Sequence, residues 1–150
     1  MNAWKSRLSW TVAAIFLSAT TAFADEVIGT VKSVKGEVSI VRSNAYIMGI
    51  SGMQLMEIDK IITGPDSAVG VTLQDGTLMS FGSKSVSQLN RFRYDPARQN
   101  GNMLVTLSKG SMRFVTGLLG KRNPSAVSIR TPTSTIAVYG TDFIVSVGKE

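Results

Sequence analysis

The sequence predicts an all-β domain of short, glycine-punctuated strands forming a twisted β-roll, sandwich or solenoid, and three observations carry that prediction. Apolar residues alternate with polar ones along most of the chain, the period-two spacing that turns one face of a strand into a core. Glycine-centred turns separate these segments at intervals of about ten residues, as in all-β folds. After the first two dozen residues no segment sustains the longer apolar period of an extended amphipathic helix.

Taken in order, the alternating positions are Val38 and Ile40; Val69, Val71 and Leu73; Met79 and Phe81; Met103, Val105 and Leu107; Met112 and Phe114; Val127 and Ile129; Ile136 and Val138; and Phe143, Val145 and Val147. Turns are expected at Gly36, Gly52, Gly64, Gly76, Gly82, Gly101, Gly110, Gly117 and Gly140. Asp75-Gly76, between Leu73 and Leu78, predicts a hairpin, because Asp-Gly suits two-residue turns in which both central residues have positive φ. Thr63-Gly64-Pro65-Asp66 predicts another turn, with Pro65 fixing its own φ and keeping Gly64 out of the helical region. Ser83 to Leu89 is read as a helical turn. Arg91 to Asn102 and Gly117 to Ser125 are read as exposed loops, being polar and rich in turn formers.

Met1 to Ala24 has the organisation of a secretory signal peptide: Lys5 and Arg7, an apolar stretch from Val12 to Leu17, and the small-x-small pattern of Ala22, Phe23 and Ala24. Ser18, Thr20 and Thr21 interrupt the apolar stretch, which falls short of the ~20 residues that span a bilayer. Cleavage near Ala24 would leave one domain, 25–150, with no transmembrane segment, in the periplasm or secreted. Loss of Lys5 and Arg7 lowers the whole chain's net charge of +6 by two. The remaining basic excess favours anionic surfaces, whereas export and the lack of any nucleic-acid motif argue against nucleic acid.

The chain has no cysteine and no histidine. It therefore has no disulfide framework, no histidine-assisted nucleophile and none of the usual zinc ligand sets. Ser-x-x-Lys and phosphate-loop patterns are also missing, and no carboxylate pair stands out for glycosidase chemistry. No enzyme activity, cofactor or metal is expected. Met53 and Met56 offer soft thioethers that suit Cu(I), but with Met48, Met79, Met103 and Met112 spread over strands they read as core filling. Tyr46, Phe92 and Tyr94 lie near polar segments, where an exposed ring could stack on a sugar or a partner; burial is the expectation.

The basic grouping that stands out is Arg91, Arg93, Arg98, Lys121 and Arg122, concentrated in the two predicted loops and joined there by Tyr94. Arginine presents a planar fork to carboxylates and phosphates. These residues are the candidate contact site. The expected partner is another envelope protein, with a ferric chelate, a glycan or a lipid as the alternatives.

A further series runs through the chain: Val31 to Val38, then Gly52 and Leu55; Asp59, Ile61, Thr63, Gly64 and Ser67; Leu73, Asp75, Gly76 and Thr77; Gly82 and Ser85; Leu107, Gly110 and Phe114; then Thr131, Pro132, Ile136, Val138, Gly140, Thr141 and Phe143. It resembles the FecR domain family, over nearly all of Val27 to Val147, through the D-x-I-x-T-G, D-G-T and T-P-x(7)-G-T-x-F elements. The resemblance implies an all-β domain outside the cytoplasmic membrane that acts as a signal-receiving or protein-contact module rather than an enzyme. Transport regulators of that family place the domain after a cytoplasmic segment and a membrane helix; here it follows the leader directly. Tyr139 stands where family members commonly carry arginine, so no anion contact is carried over to it. The short side chains of Asp59, Thr63, Asp75, Thr77, Thr131 and Thr141 are read as holding turns by bonding nearby backbone.

Overall fold

The structure is a computed structural model that describes residues 26–140 and 142–148. The leader, its cleavage point and Thr141 lie outside the described residues. Among the described residues twelve strands and one short α-helix are formed: β1 (Val27–Lys35), β2 (Val38–Arg42), β3 (Ala45–Met48), β4 (Gln54–Met56), β5 (Lys60–Thr63), β6 (Ala68–Leu73), β7 (Leu78–Phe81), β8 (Val86–Asp95), β9 (Asn100–Val115), α1 (Leu118–Arg122), β10 (Val127–Arg130), β11 (Thr135–Ala137) and β12 (Asp142–Val147). No helix among the described residues is long and apolar enough to cross a membrane.

The protein is all-β, a single curled sheet that closes as far as a half-barrel. Its main path runs β3-β2-β5-β8-β9-β7-β6-β1-β4. The long strand β9 serves both halves. Its first part pairs with β8 and, in parallel, with β10, whereas its last part pairs with β7 and β12. The change of neighbours falls at Gly110, which lies inside β9 at φ 85° and not in a turn. A Cβ there would stand 2.5 Å from Ser85 Cα, so only glycine allows the two strands this close approach.

The alternating residues face inward as their spacing demands. Val38 and Ile40, Val69, Val71 and Leu73, Met79 and Phe81, Met103, Val105 and Leu107, Met112 and Phe114, and Val127 and Ile129 are all buried in one core with Ile28, Val31, Leu55 and Ile61. Met53 packs against this core, Met56 is half-buried, and Met48 is exposed.

The Asp75-Gly76 hairpin joins β6 to β7, with a different turn from the one expected. Gly76 N–H donates to Leu73 O at 3.0 Å and Leu73 N–H to Thr77 O at 2.9 Å. Only Gly76 of the pair has positive φ, so the loop has three residues and closes on a left-handed glycine. The two-residue turn with both φ positive occurs instead at Ser43-Asn44, between β2 and β3.

Three expectations need correction. Ser83 to Leu89 is no helical turn: a tight turn at Ser83-Lys84 leads straight into β8. Arg91 to Asn102 is no long loop but the end of β8, a tight turn and the start of β9. A bulge between Leu89 and Arg91 lets both Leu89 and Phe92 reach the core, a three-residue spacing that hides the strand from a period-two reading. Gly117 to Ser125 contains α1 and a 3-10 turn, with Gly117, Leu119 and Gly120 buried. Among the glycines at which turns are expected, Gly64, Gly82, Gly117 and Gly140 do not have positive φ.

Candidate functional site

The two basic segments that the sequence nominates are joined through Gln99 and Arg122. At the tip of the β8–β9 hairpin the Asp95 carboxylate accepts from Ala97 N–H at 2.9 Å and from Arg98 N–H at 3.2 Å, the side-chain-to-backbone closure typical of Asx turns. Gln99, left-handed at φ 49°, then accepts from Arg122 Nε of α1 at 2.8 Å. This bond ties the hairpin tip to the helix across 23 residues of chain.

The helix is held from below. Asp75, buried in the β6–β7 hairpin, accepts from Leu119 N–H at 3.3 Å, while its carbonyl accepts from Leu118 N–H at 2.8 Å. Thr77 Oγ1 donates to Asp75 at 2.9 Å and accepts from Gly117 N–H at 3.2 Å. With Leu119 fully buried, α1 turns Leu118, Lys121 and Arg122 outward, the two cations at its C-terminal end, where they suit the helix dipole.

The candidate side chains are not equivalent. Arg93 makes an ion pair with Glu57 at 2.7 Å, and Glu57 also accepts from Phe92 N–H, which pins the β4–β5 turn to β8. Arg98 lies 3.8 Å from Asp95 at an exposed position. Arg91 and Lys121 are exposed and have no ion pair among the described residues. Tyr94 is half-buried, 6.4 Å from the ring of buried Phe92. With Arg93, Arg98, Glu26 and Asp95 it lines a shallow hollow of about 330 Å³. Tyr46, expected to be buried, is 75% exposed on β3.

A larger cleft of about 700 Å³ opens beside Gly110, away from the nominated residues. Lys84 and Lys109 line it with the hydroxyl-bearing Ser83, Ser108, Thr131 and Ser146. No carboxylate lines it among the described residues. The two lysines are 25 positions apart and line one cleft because β8 and β9 pair beside the left-handed turn residue Lys84, a proximity with no signal in the sequence around either.

The motif residues lie between elements. Asp59, fully buried, accepts from Arg42 Nε at 2.8 Å, Arg42 Nη2 at 2.7 Å and Met56 N–H at 2.9 Å. Thr63 donates to Gly82 O at 2.6 Å and accepts from Ser85 N–H at 2.8 Å. Thr131 exchanges hydrogen bonds with Ser134 across a tight turn, and Pro132 lies on the rim of the cleft. Gly64 N–H donates to Glu37 O, Gly140 O accepts from Thr116 at 2.6 Å, and Phe143 stacks on Phe114 at 5.3 Å. On the outer face of β12, Arg113 holds Asp142 through two bonds of 3.0 and 2.6 Å, and the hydrogen bond keeps the Asp142 carboxyl below its usual range.

Among the described residues no group of acidic side chains is placed to hold a metal ion. A family model described as FecR protein matches residues 59–150, from the start of β5 onward. No curated protein matches the chain, and no solved structure matches it.

Proposed function

The chain belongs to the FecR protein family, and from that premise we propose that it is an exported, non-catalytic binding module of the cell envelope, cleaved near Ala24 and working in the periplasm. Its contact surface is the basic end built by the β8–β9 tip and α1, and its partner is another envelope protein with an acidic face. The supporting observation is the Arg122–Gln99 hydrogen bond, which joins the hairpin tip next to Arg98 to the helix that carries Lys121 and Arg122. Exposed arginines there can grip carboxylates in bidentate fashion.

Crosslinking in the periplasm followed by mass spectrometry tests this reading. The wild-type chain, starting at Asp25, should be recovered with a second envelope protein. A variant with Arg91, Arg98, Lys121 and Arg122 all changed to Glu should lose it. Recovery of the same partner with both chains, or of intact precursor in the cytosol, would sink the proposal.

The cleft between Lys84 and Lys109 favours a second reading, a small-ligand or glycan binder. Paired ammonium groups among hydroxyls suit an anionic, hydroxyl-rich molecule such as an acidic glycan or a ferric chelate. A ligand bound only by the folded state at a hundred times its Kd stabilises by about 2.7 kcal/mol. Melting temperature should then rise with ligand concentration in the wild type and stay flat in Lys84→Ala/Lys109→Ala. A flat response in the wild type to acidic glycans and ferric chelates alike would exclude this reading.

A further inference from the structure

Strand β3 stands at one end of the sheet path and, among the described residues, pairs with β2 alone. Its hairpin phase is fixed by Ser43 and Asn44, both at positive φ (48° and 64°), the signature of a two-residue turn flanked by a hydrogen-bonded pair, here Arg42 and Ala45. Gly49 N–H donating to Val38 O at 2.8 Å has the same phase. Alternation along an antiparallel pair then directs the main-chain groups of Ile47 toward β2 and those of Tyr46 and Met48 away from it, into the open edge.

That edge is apolar. Ala45, Tyr46, Ile47 and Met48 are all exposed, Tyr46 and Met48 by 75% and 78%. Across the outer face Tyr46 sits beside Val41, and Ile50, just beyond the strand, is 56% exposed. From Ser43 to Met56 the sequence has no charged residue, in a chain whose net charge is +6. Natural edge strands are usually defended by lysine, proline or a bulge; β3 has none of these and is protected only by being short.

We propose that two copies of this protein associate through their β3 edges, running antiparallel about a two-fold axis beside Ile47, so that the sheet continues from one copy into the next. In this register Tyr46 of one copy faces Met48 of the other, and each such pair exchanges both of its main-chain hydrogen bonds. Ile47 meets its own counterpart at the axis. Every side chain along the junction then meets an apolar one, as a self-complementary interface requires. A charged partner segment would find no opposite charge on this stretch, whereas a second copy meets an edge strand that carries no like charge to repel it.

The strand is too short to approach the ~1,600 Å² of a standard stable complex, so the association is concentration-dependent. Salt screens the general repulsion between the two basic chains, so added salt strengthens it. Contact through the basic end with an acidic partner would respond in the opposite sense. The axis lies two strands away from β8, across β2 and β5, which leaves the basic end open in the dimer.

The chain has no cysteine, so a single introduced thiol reports the contact. Ile47→Cys places two thiols across a non-hydrogen-bonded antiparallel pair, where Cα atoms approach to about 4.5 Å, within disulfide range. Under mild oxidation it should form a disulfide-linked dimer at least about tenfold faster than Ile58→Cys, because a preformed pair raises the effective thiol concentration. Ile58 is an exposed residue of the β4–β5 turn, off the edge, and controls for collision. Sedimentation velocity of the unmodified protein should show a coefficient that rises with concentration and salt. Ile47→Lys should stay monomeric with an unchanged circular dichroism spectrum. Equal crosslinking rates for the two cysteines, capture of the Ile47→Cys thiol by a different protein in the periplasm, or a monomer at every concentration would each overturn the proposal.

Discussion

Asp59 carries a carboxylate with no solvent exposure, and three donors from two other parts of the chain, Arg42 twice and Met56 N–H, converge on it. Arg42 also donates to Gln54 O at 3.0 Å, so one guanidinium joins β2, β4 and the turn before β5. A short carboxylate beside a turn is expected to bond nearby backbone, and the Met56 N–H bond is of that kind; the ion pair with Arg42, 17 positions upstream, is legible in neither residue's neighbourhood. Removing the cation alone strands a buried charge. Arg42→Met should therefore cost about 3 kcal/mol, the lower end for a broken buried pair because Arg42 keeps part of its surface in water. Asp59→Asn on top of Arg42→Met should recover part of the loss, since the remaining amide has no charge to desolvate. Urea denaturation midpoints at unchanged m-value measure both; equal midpoints for Arg42→Met and wild type would show the pair to be energetically idle.

At the scale of elements, what the sequence reveals and conceals depends on local regularity. Strands β6 and β7 alternate without interruption, and their residues announce them. Strand β8 does not, because its bulge shifts Phe92 out of phase with Leu89, and the polar residues around the shift resemble a loop. The helix α1 has only five residues, too few for a helical period to be visible, and is held by Asp75 from a distant hairpin. Gly110 makes the same point within β9, since it looks like a turn glycine but marks the place where one strand passes from one half of the sheet to the other. Its φ of 85° and the closeness of Ser85 both forbid a side chain. Gly110→Ala should cost about 2–4 kcal/mol, the strain of a left-handed alanine plus that of overpacking. Gly52→Ala, at φ 90° with nothing within 4 Å, should cost only about 1 kcal/mol from the backbone alone. Thermal melts of the two variants separate collision from conformational strain, and similar melting temperatures would refute the steric role assigned to Ser85.

For the whole molecule, the all-β class, most strands and many of the core residues follow from the sequence alone, because period-two alternation and the need to bury apolar area are local properties of the chain; Ile28, Val31, Leu55, Ile61, Leu89 and Leu119 join the core without such a signal. The absence of histidine and cysteine is equally a property of the sequence and bounds the chemistry before any fold is known. Which segments meet was decided only in three dimensions. The parallel pairing of β10 with β9, the Lys84–Lys109 cleft, the junction of the hairpin tip with α1 and the open edge at β3 all depend on contacts between residues far apart in sequence. Such contacts are selected by how the whole sheet curls to enclose a single core, and no short window of residues encodes that choice.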